Sequence, residues 1–211
     1  MSEPEKTRTS EILVQLAETG DSENMSVGEV LDALSDRAFG MIMLVLALPC
    51  AVPFVYIIPQ IVSVPMLLIA AQITVGRHTL WMPKGLRKRS FPRASFLTLA
   101  KRARRYLGWA EAISKPRLTA FTNGRMEQLF GLFMVVFSIS VALPIPLTNT
   151  TPGIAIAIMS IGFIERDGFF VVVGTILGTF WVLMLIFFAQ LFFVWSAQIM
   201  EYLTQFLTNL S

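Results

Sequence analysis

The chain has 211 residues, 55% of them hydrophobic, with a mean hydropathy of +0.66 and a formal net charge of +3. That balance excludes an ordinary water-soluble domain and fits one compact integral membrane protein. One histidine, His78, and one cysteine, Cys50, exclude an internal disulfide and leave no zinc or thiol–imidazole set, so neither an enzyme nor a metal or other cofactor is expected.

The charges are unevenly placed. Residues 1–36 carry nine acidic side chains against Lys6 and Arg8, whereas residues 77–125 carry thirteen of the seventeen Lys and Arg against Glu111 alone. The first 36 residues are polar, so no signal peptide is expected. A basic block between two apolar tracts is expected to stay on the cytoplasmic side of the bacterial inner membrane, with the N-terminus, and to lie against anionic lipid headgroups. Flanking membrane segments argue against nucleic-acid binding.

Residues 9–19 read as a short amphipathic helix with Ile12, Leu13 and Leu16 on one face. Ser26 and Glu29 form a capping box, in which hydroxyl and carboxylate satisfy each other's orphan amides. The helix they open carries Val27, Val30, Leu31 and Leu34. These helices form the unit 1–36, expected at the cytoplasmic face.

The tract from Ala38 to Gly76, within the unit 37–76, has no charge but carries Pro49, Pro53, Pro59 and Pro65. Proline deletes a backbone donor and clashes with the preceding turn. The spacing predicts a helix over 39–48, a knot over 49–59 and a helix over 60–75, each too short for a comfortable crossing. The connector 77–125 follows, with an interfacial turn around Trp81 and a basic amphipathic helix over 94–114, where Phe96, Leu107 and Trp109 stand among cations. The unit 126–168 repeats the design: a helix over 129–143, a knot with Pro144, Pro146 and Pro152, and a half-helix over 153–164. Residues 169–198 are long enough to span, and 199–210 form a frayed end of the unit 169–211.

The tracts match in detail. Ala47-Leu48-Pro49 mirrors Ala142-Leu143-Pro144, and Pro59-Gln60-Ile61 mirrors Pro152-Gly153-Ile154. Thirteen residues after each closing proline stand Gln72 and Glu165, and then Gly76 and Gly168. The expected fold is therefore all-α: two proline-broken, re-entrant or short hairpins forming an internal repeat, a basic amphipathic connector and a C-terminal transmembrane helix. Pro59 and Pro152 would each open a half-helix at its first position, where missing amides cost nothing. The bare first-turn amides and helix dipoles would draw an anion. Gln60, Asn149, Thr150 and Thr151 line these ends. Charges at the tract borders, Arg37, Arg77, Glu165, Arg166 and Asp167, together with Gln72, complete the candidate substrate-binding set. Interfacial snorkelling and salt bridging, for instance Arg37 with Asp167, are the structural alternative.

The order Asp36-Arg37-Ala-Phe-Gly40, Ala-Leu-Pro49, Gln72 with Gly76-Arg77, Trp81-Met-Pro83, Pro116-Arg117, Leu-Pro-Ile-Pro146, Pro152 and Glu165-Arg166-Asp167-Gly168 resembles the ExoD family. The resemblance covers roughly residues 8 to 195 and implies a bacterial inner-membrane protein linked to exopolysaccharide synthesis. It implies a process and carries over no catalytic residue. The expected function is a small homodimeric carrier that binds or translocates an anionic substrate, of the polyprenyl-phosphate lipid type, at paired half-helix N-termini. The alternative is a non-transporting scaffold or regulator of the polysaccharide machinery.

Overall fold

A computed structural model of the chain describes residues 9–19, 22–53, 57–113, 118–122, 124–144 and 148–210. Its first helix, α1 (Thr9–Glu18), is followed by a three-residue strand, β1 (Asn24–Ser26), and by α2 (Val27–Leu34). The capping box at α2 is complete. Ser26 Oγ accepts from the Glu29 N–H at 3.2 Å, and Glu29 Oε2 accepts from the Ser26 N–H at 2.7 Å.

The apolar tracts fold as two hairpins. The first is α3 (Arg37–Ala51) and α4 (Ile57–Thr74). The second is α7 (Gly124–Ala142) and α8 (Thr150–Glu165). Between them the connector forms α5 (Lys84–Arg87), strand β2 (Ser90–Pro92) and α6 (Arg93–Ile113), and a single 3-10 turn, Thr119–Thr122, precedes α7. The last helix, α9 (Gly168–Leu210), runs unbroken for 43 residues, so its end is not a separate frayed segment. The helices α4, α7 and α9 are each long and apolar enough to cross a membrane.

Several break positions differ from expectation. Pro49 lies inside α3, and the chain leaves the helix at Val52 and Pro53. A proline this close to a C-terminus removes one bond to the turn before it without ending the helix. Pro152 occupies the third helical position, because α8 starts at Thr150, and Pro59 lies in the first described turn of α4. The first four amides of any helix lack an intrahelical acceptor, so the third position tolerates proline as the first does. Pro65 sits within α4, whereas Pro144 stands two residues past the end of α7 and does terminate it. Pro146 lies outside the described residues, as do Lys6, Arg8, Pro116 and Arg117.

Glycine contacts give the packing. A Cβ on Gly40 of α3 would meet Ser160 and Ile164 of α8, and one on Gly153 of α8 would meet Cys50 and Ala51. A Cβ on Gly131 of α7 would meet Ile73 and Thr74 of α4. Thus α3 lies antiparallel to α8, and α4 to α7, with small residues admitting the close approach. Each helix of one hairpin packs chiefly on a helix of the other. Both hairpins point the same way. Their loops share one end of the bundle, and the charged residues Asp36, Arg77, Glu127 and Arg166 share the other. The first half of α9 runs back along α8, with Gly174 against Ala155 and Met159, and reaches Phe137 of α7 at Gly178. The core between the hairpins is filled by Met43, Ala47, Met66, Ala70, Met134, Phe137, Ile156 and Met159, all buried.

At the charged end, the acidic N-terminal segment and the basic connector close on each other. The strands β1 and β2 pair antiparallel, with Met25 opposite Phe91. The Arg93 guanidinium donates to the Leu16 carbonyl at 2.6 Å and to the Ser22 carbonyl at 2.9 Å. Arg87 Nη2 reaches both oxygens of Asp32 at 2.6 and 2.7 Å. Buried Leu13 and Ala17 of α1 and Ala100 of α6 belong to the core, and α6 packs along α1. This ribbon is a short β element in an otherwise helical chain. The side chains of Leu107 and Trp109 are outside the described set.

Candidate functional site at the loop end of the bundle

The expected binding residues divide between the two ends of the bundle. Gln60, Asn149, Thr150 and Thr151 lie at the loop end. Arg37, Gln72, Arg77, Glu165, Arg166 and Asp167 lie at the charged end. The 16 residues of α8 separate the groups by about 24 Å. A single phosphate therefore cannot touch both the helix N-termini and the border arginines.

Much of the charged end is structural. Gln72 Oε1 accepts from the Trp81 N–H at 2.6 Å, and its Nε2 donates to the carbonyls of Trp81 and Leu68 at 3.2 Å. It clamps the connector to α4. Arg166 ends α8 in the left-handed region at φ 53°, and the Asp167 N–H donates to the Gly162 carbonyl at 2.9 Å. Asp167, 1% exposed, accepts on Oδ1 from the Phe169 N–H at 3.0 Å and so caps α9. A Cβ on Gly168 would strike the Leu118 carbonyl. The run Glu165-Arg166-Asp167-Gly168 thus stops one helix and starts the next. Gly76, at φ 71°, ends α4 in the same left-handed way.

The remaining charges surround a small cavity. Asp36, Phe39, Ile73, Thr122, Glu127, Phe163 and Arg166 line a space of about 20 Å³, room for one water. Arg166 Nη2 lies 3.5 Å from Asp36 Oδ2, and Asp36, Arg166 and His78 all act electrostatically on Glu127. Arg37 Nη1 donates to Thr9 Oγ1 at 3.1 Å, which ties α3 to α1. Sequence reasoning passed over Glu127. Its signal was its place as the sole acid between Glu111 and Glu165, at the threshold of the second apolar tract.

The loop end is built differently. Asn149 is the N-cap residue of α8, yet its side chain makes no capping hydrogen bond. It is 5% exposed, and its Oδ1 is buried without a partner. Gln60 Oε1 in the first turn of α4, Ser140 Oγ near the end of α7, and Thr179 Oγ1 and Trp181 Nε1 on α9 are likewise buried and unpartnered. The helix contacts give their heights along the bundle. Gly178 sits against Phe137, so Trp181 is level with Ser140, and Gly174 sits against Ala155 and Met159, so Thr179 is level with the first turn of α8. Gln60 stands about one turn beyond Ser140 on the antiparallel α4. An unmet buried polar group costs roughly 1–3 kcal/mol, and five of them lie in the loop-end half of the bundle. Ser140, Thr179 and Trp181 were not singled out from sequence, since the first is one hydroxyl in an apolar helix and the others lie within an apolar span.

The sequence profile of the family described as "Exopolysaccharide synthesis, ExoD" matches residues 9–187. The chain belongs to that family. An uncharacterised protein of Synechocystis is 30% identical over 156 residues, covering 72% of this chain and 73% of its own length. "Protein ExoD" of Rhizobium meliloti is 29% identical over 157 residues, covering 71% of this chain. The alignment spans 64% of that Rhizobium protein's length. No solved structure matches this ExoD-family chain. Membership links it to exopolysaccharide synthesis, and the match stops short of the distal part of α9.

Proposed function

We propose that this ExoD-family protein is a multi-pass inner-membrane carrier that binds an anionic ligand, of the polyprenyl-phosphate lipid type, at the N-termini of α4 and α8. The carrying observation is Asn149 at the start of α8. Its side chain is buried, makes no capping hydrogen bond and leaves Oδ1 without a partner. The α4 N-terminus is at the same end of the bundle, so two positive dipole ends share the site. The apolar exterior of α4, α7 and α9 suits a lipid tail, with Ile57, Ile61, Leu132 and Ile176 all exposed. The two hairpins act as an internal repeat of parallel sense and re-enter the bilayer, which gives the broken helices their polar meeting point.

The charged end, with the N-terminal cap and residues 77–125, faces the cytoplasm under the positive-inside bias. Exposed Leu99 beside Lys101 and Arg102 of α6 offers the connector to anionic headgroups. A second copy completes the assembly as a homodimer along the distal half of α9.

Reconstituted protein is expected to bind a short-chain polyprenyl phosphate and, more weakly, inorganic phosphate. In a Cys50→Ala background, cysteines at positions 60 and 149 are expected to react with a polar thiol reagent applied from the side opposite His78. Failure to bind either probe overturns the carrier reading. A scaffold reading has one observation in its favour, the open groove of about 730 Å³ between α2 and α5, lined by Asp32, Lys84, Arg87 and Lys88. A double Lys84→Glu, Lys88→Glu variant that loses its exopolysaccharide phenotype while keeping ligand binding would favour it.

A further inference from the structure

We infer that the outer face of α4 and the start of the connector form one docking surface for an anionic phospholipid, with its chains along α4 and its headgroup at Lys84 and Lys88. This surface lies toward the charged end of the bundle, so the inference is independent of the carrier reading. It rests on the headgroup contact proposed for the connector and gives that contact a definite place.

Ile57, Ile61, Val64 and Leu68 recur at intervals of four, three and four, so they share one face of α4. Each is more than half exposed. Gln72 is the next residue in that series, and it is polar. Its amide holds the Trp81 backbone twice: Oε1 accepts from the N–H at 2.6 Å, and Nε2 donates to the carbonyl at 3.2 Å. The connector is thereby fastened across the end of the apolar stripe. Leu80 is buried and Met82 packs against the core, whereas Trp81 between them is 56% exposed. With both neighbours held inward, the indole is held outward. An indole at the end of a lipid-facing stripe is placed as a headgroup-level anchor.

The charges follow at once. Lys84 stands three residues beyond Trp81, at most about 10 Å along the chain. Lys88 is one turn further on, and both line the open groove between α2 and α5. Carboxylates line that groove too, but they are engaged. Asp32 holds Arg87 with both oxygens, and Glu29 accepts the Ser26 amide in its capping box. Among the described residues, neither lysine meets a carboxylate. The groove thus offers two uncommitted ammonium groups beside an ion pair that is already neutral. A lysine ammonium is a compact point charge and suits a phosphodiester. A zwitterionic headgroup brings a cation of its own to the pair, whereas a net-negative one does not, so the anionic lipid is preferred. An acidic protein segment would answer the lysines but not the apolar face that leads up to them. The continuity of stripe, indole and cations selects a lipid.

The test uses the full chain in phosphatidylcholine nanodiscs that contain a minor fraction of chain-brominated lipid, either phosphatidylglycerol or phosphatidylcholine. Bromine quenches an indole that it touches, and the Trp81 signal is the fluorescence of the parent less that of Trp81→Phe. Brominated phosphatidylglycerol is expected to quench this signal at a mole fraction roughly threefold lower than brominated phosphatidylcholine does. Lys84→Gln with Lys88→Gln is expected to remove that advantage and to leave quenching by phosphatidylcholine as it was. Lys84→Arg with Lys88→Arg is expected to keep the advantage. Both lysines are exposed, so neither pair of substitutions disturbs a folding contact. Equal quenching by the two lipids overturns the headgroup site and leaves general membrane contact of the connector standing. A Trp81 signal that neither lipid quenches overturns both. An advantage for phosphatidylglycerol that survives the glutamine pair overturns the placement of the headgroup in the groove.

Discussion

Arg166 carries two roles that one substitution can separate. Its backbone closes α8 at φ 53°, where a side chain is strained and glycine is not, and its guanidinium faces Asp36 across the small cavity. Arg166→Gly is therefore expected to keep thermal stability within about 1 kcal/mol of the parent, since the lost ion pair is solvent-exposed and the strain is relieved. Arg166→Ala keeps the strain and loses the charge, so its melting temperature is expected to fall below that of the glycine variant. A reversed order of the two would remove the left-handed cap from the account. Gly153 tests packing at the same scale. A Cβ there would lie 2.7 Å from Cys50 Cβ and 2.9 Å from the Ala51 nitrogen, against backbone that cannot give way. Gly153→Ala is expected to cost about 1–3 kcal/mol in thermal or denaturant unfolding. Gly108→Ala in α6, which meets nothing within 4 Å, is expected to be neutral or mildly stabilising.

At the scale of elements, the capping box is the clearest case of local chemistry carried through to structure. Ser26→Ala removes the acceptor for the Glu29 amide and is expected to cost about 1 kcal/mol, read as a lower unfolding midpoint of the cap. Ser26 and Glu29 were legible because the box is short-range and needs nothing beyond its own four residues. The helical, apolar character of the tracts was legible for a related reason, that a long uncharged run in so hydrophobic a chain has few other outcomes. The helix limits were less so. Pro49 was read as a stop and is an interior residue, because tolerance depends on how many turns follow. Pro152 is expected at the first position and stands at the third, because any of the first-turn sites forgives a missing amide. The ribbon of Asn24–Ser26 with Ser90–Pro92 was invisible, as its partners are far apart in sequence and too short to show alternation. Asp167 was singled out for its charge, whereas its geometry makes it a helix cap. Gln60 and Asn149 lie at the loop end of the bundle. Ser140 on α7 and Thr179 and Trp181 on one turn of α9 stand out only in the folded chain, because nothing in an apolar helix marks which polar atom packing leaves without a partner.

For the whole molecule, the separation of two ends is the organising fact. Cations and carboxylates gather where α4 and α8 finish, and the half of the bundle where they begin holds unpartnered neutral polar atoms on four helices. The acidic N-terminal segment holds the basic connector by the Arg87–Asp32 and Lys101–Glu18 pairs and by Arg93. Removing the N-terminal segment would therefore strip α6 of the surface it packs on, so a truncation cannot isolate docking from folding. Arg93→Ala is the milder probe. It is expected to expose residues 19–24 to limited proteolysis while leaving the melting of the four-helix bundle in place. The distal half of α9 can be tested in the same spirit. From Ile186 to Tyr202 every residue is exposed, including Phe187, Phe192, Phe193 and Trp195. Under the proposed homodimer, the full chain is expected to appear as a dimer by mass photometry in nanodiscs, and a chain ending at Leu185 as a monomer that keeps its bundle. Unchanged mass would sink the α9 interface.

That same helix has a mechanical consequence. Residues 168–200 contain no charge, which makes about 50 Å of oil-soluble rod beside hairpins roughly half as tall, in a hydrocarbon layer about 30 Å deep. A span that long is met by tilting, by bending or by a locally thicker bilayer. Under the carrier reading, lipid chain length would then set how far the loop end of the bundle sits from the water surface.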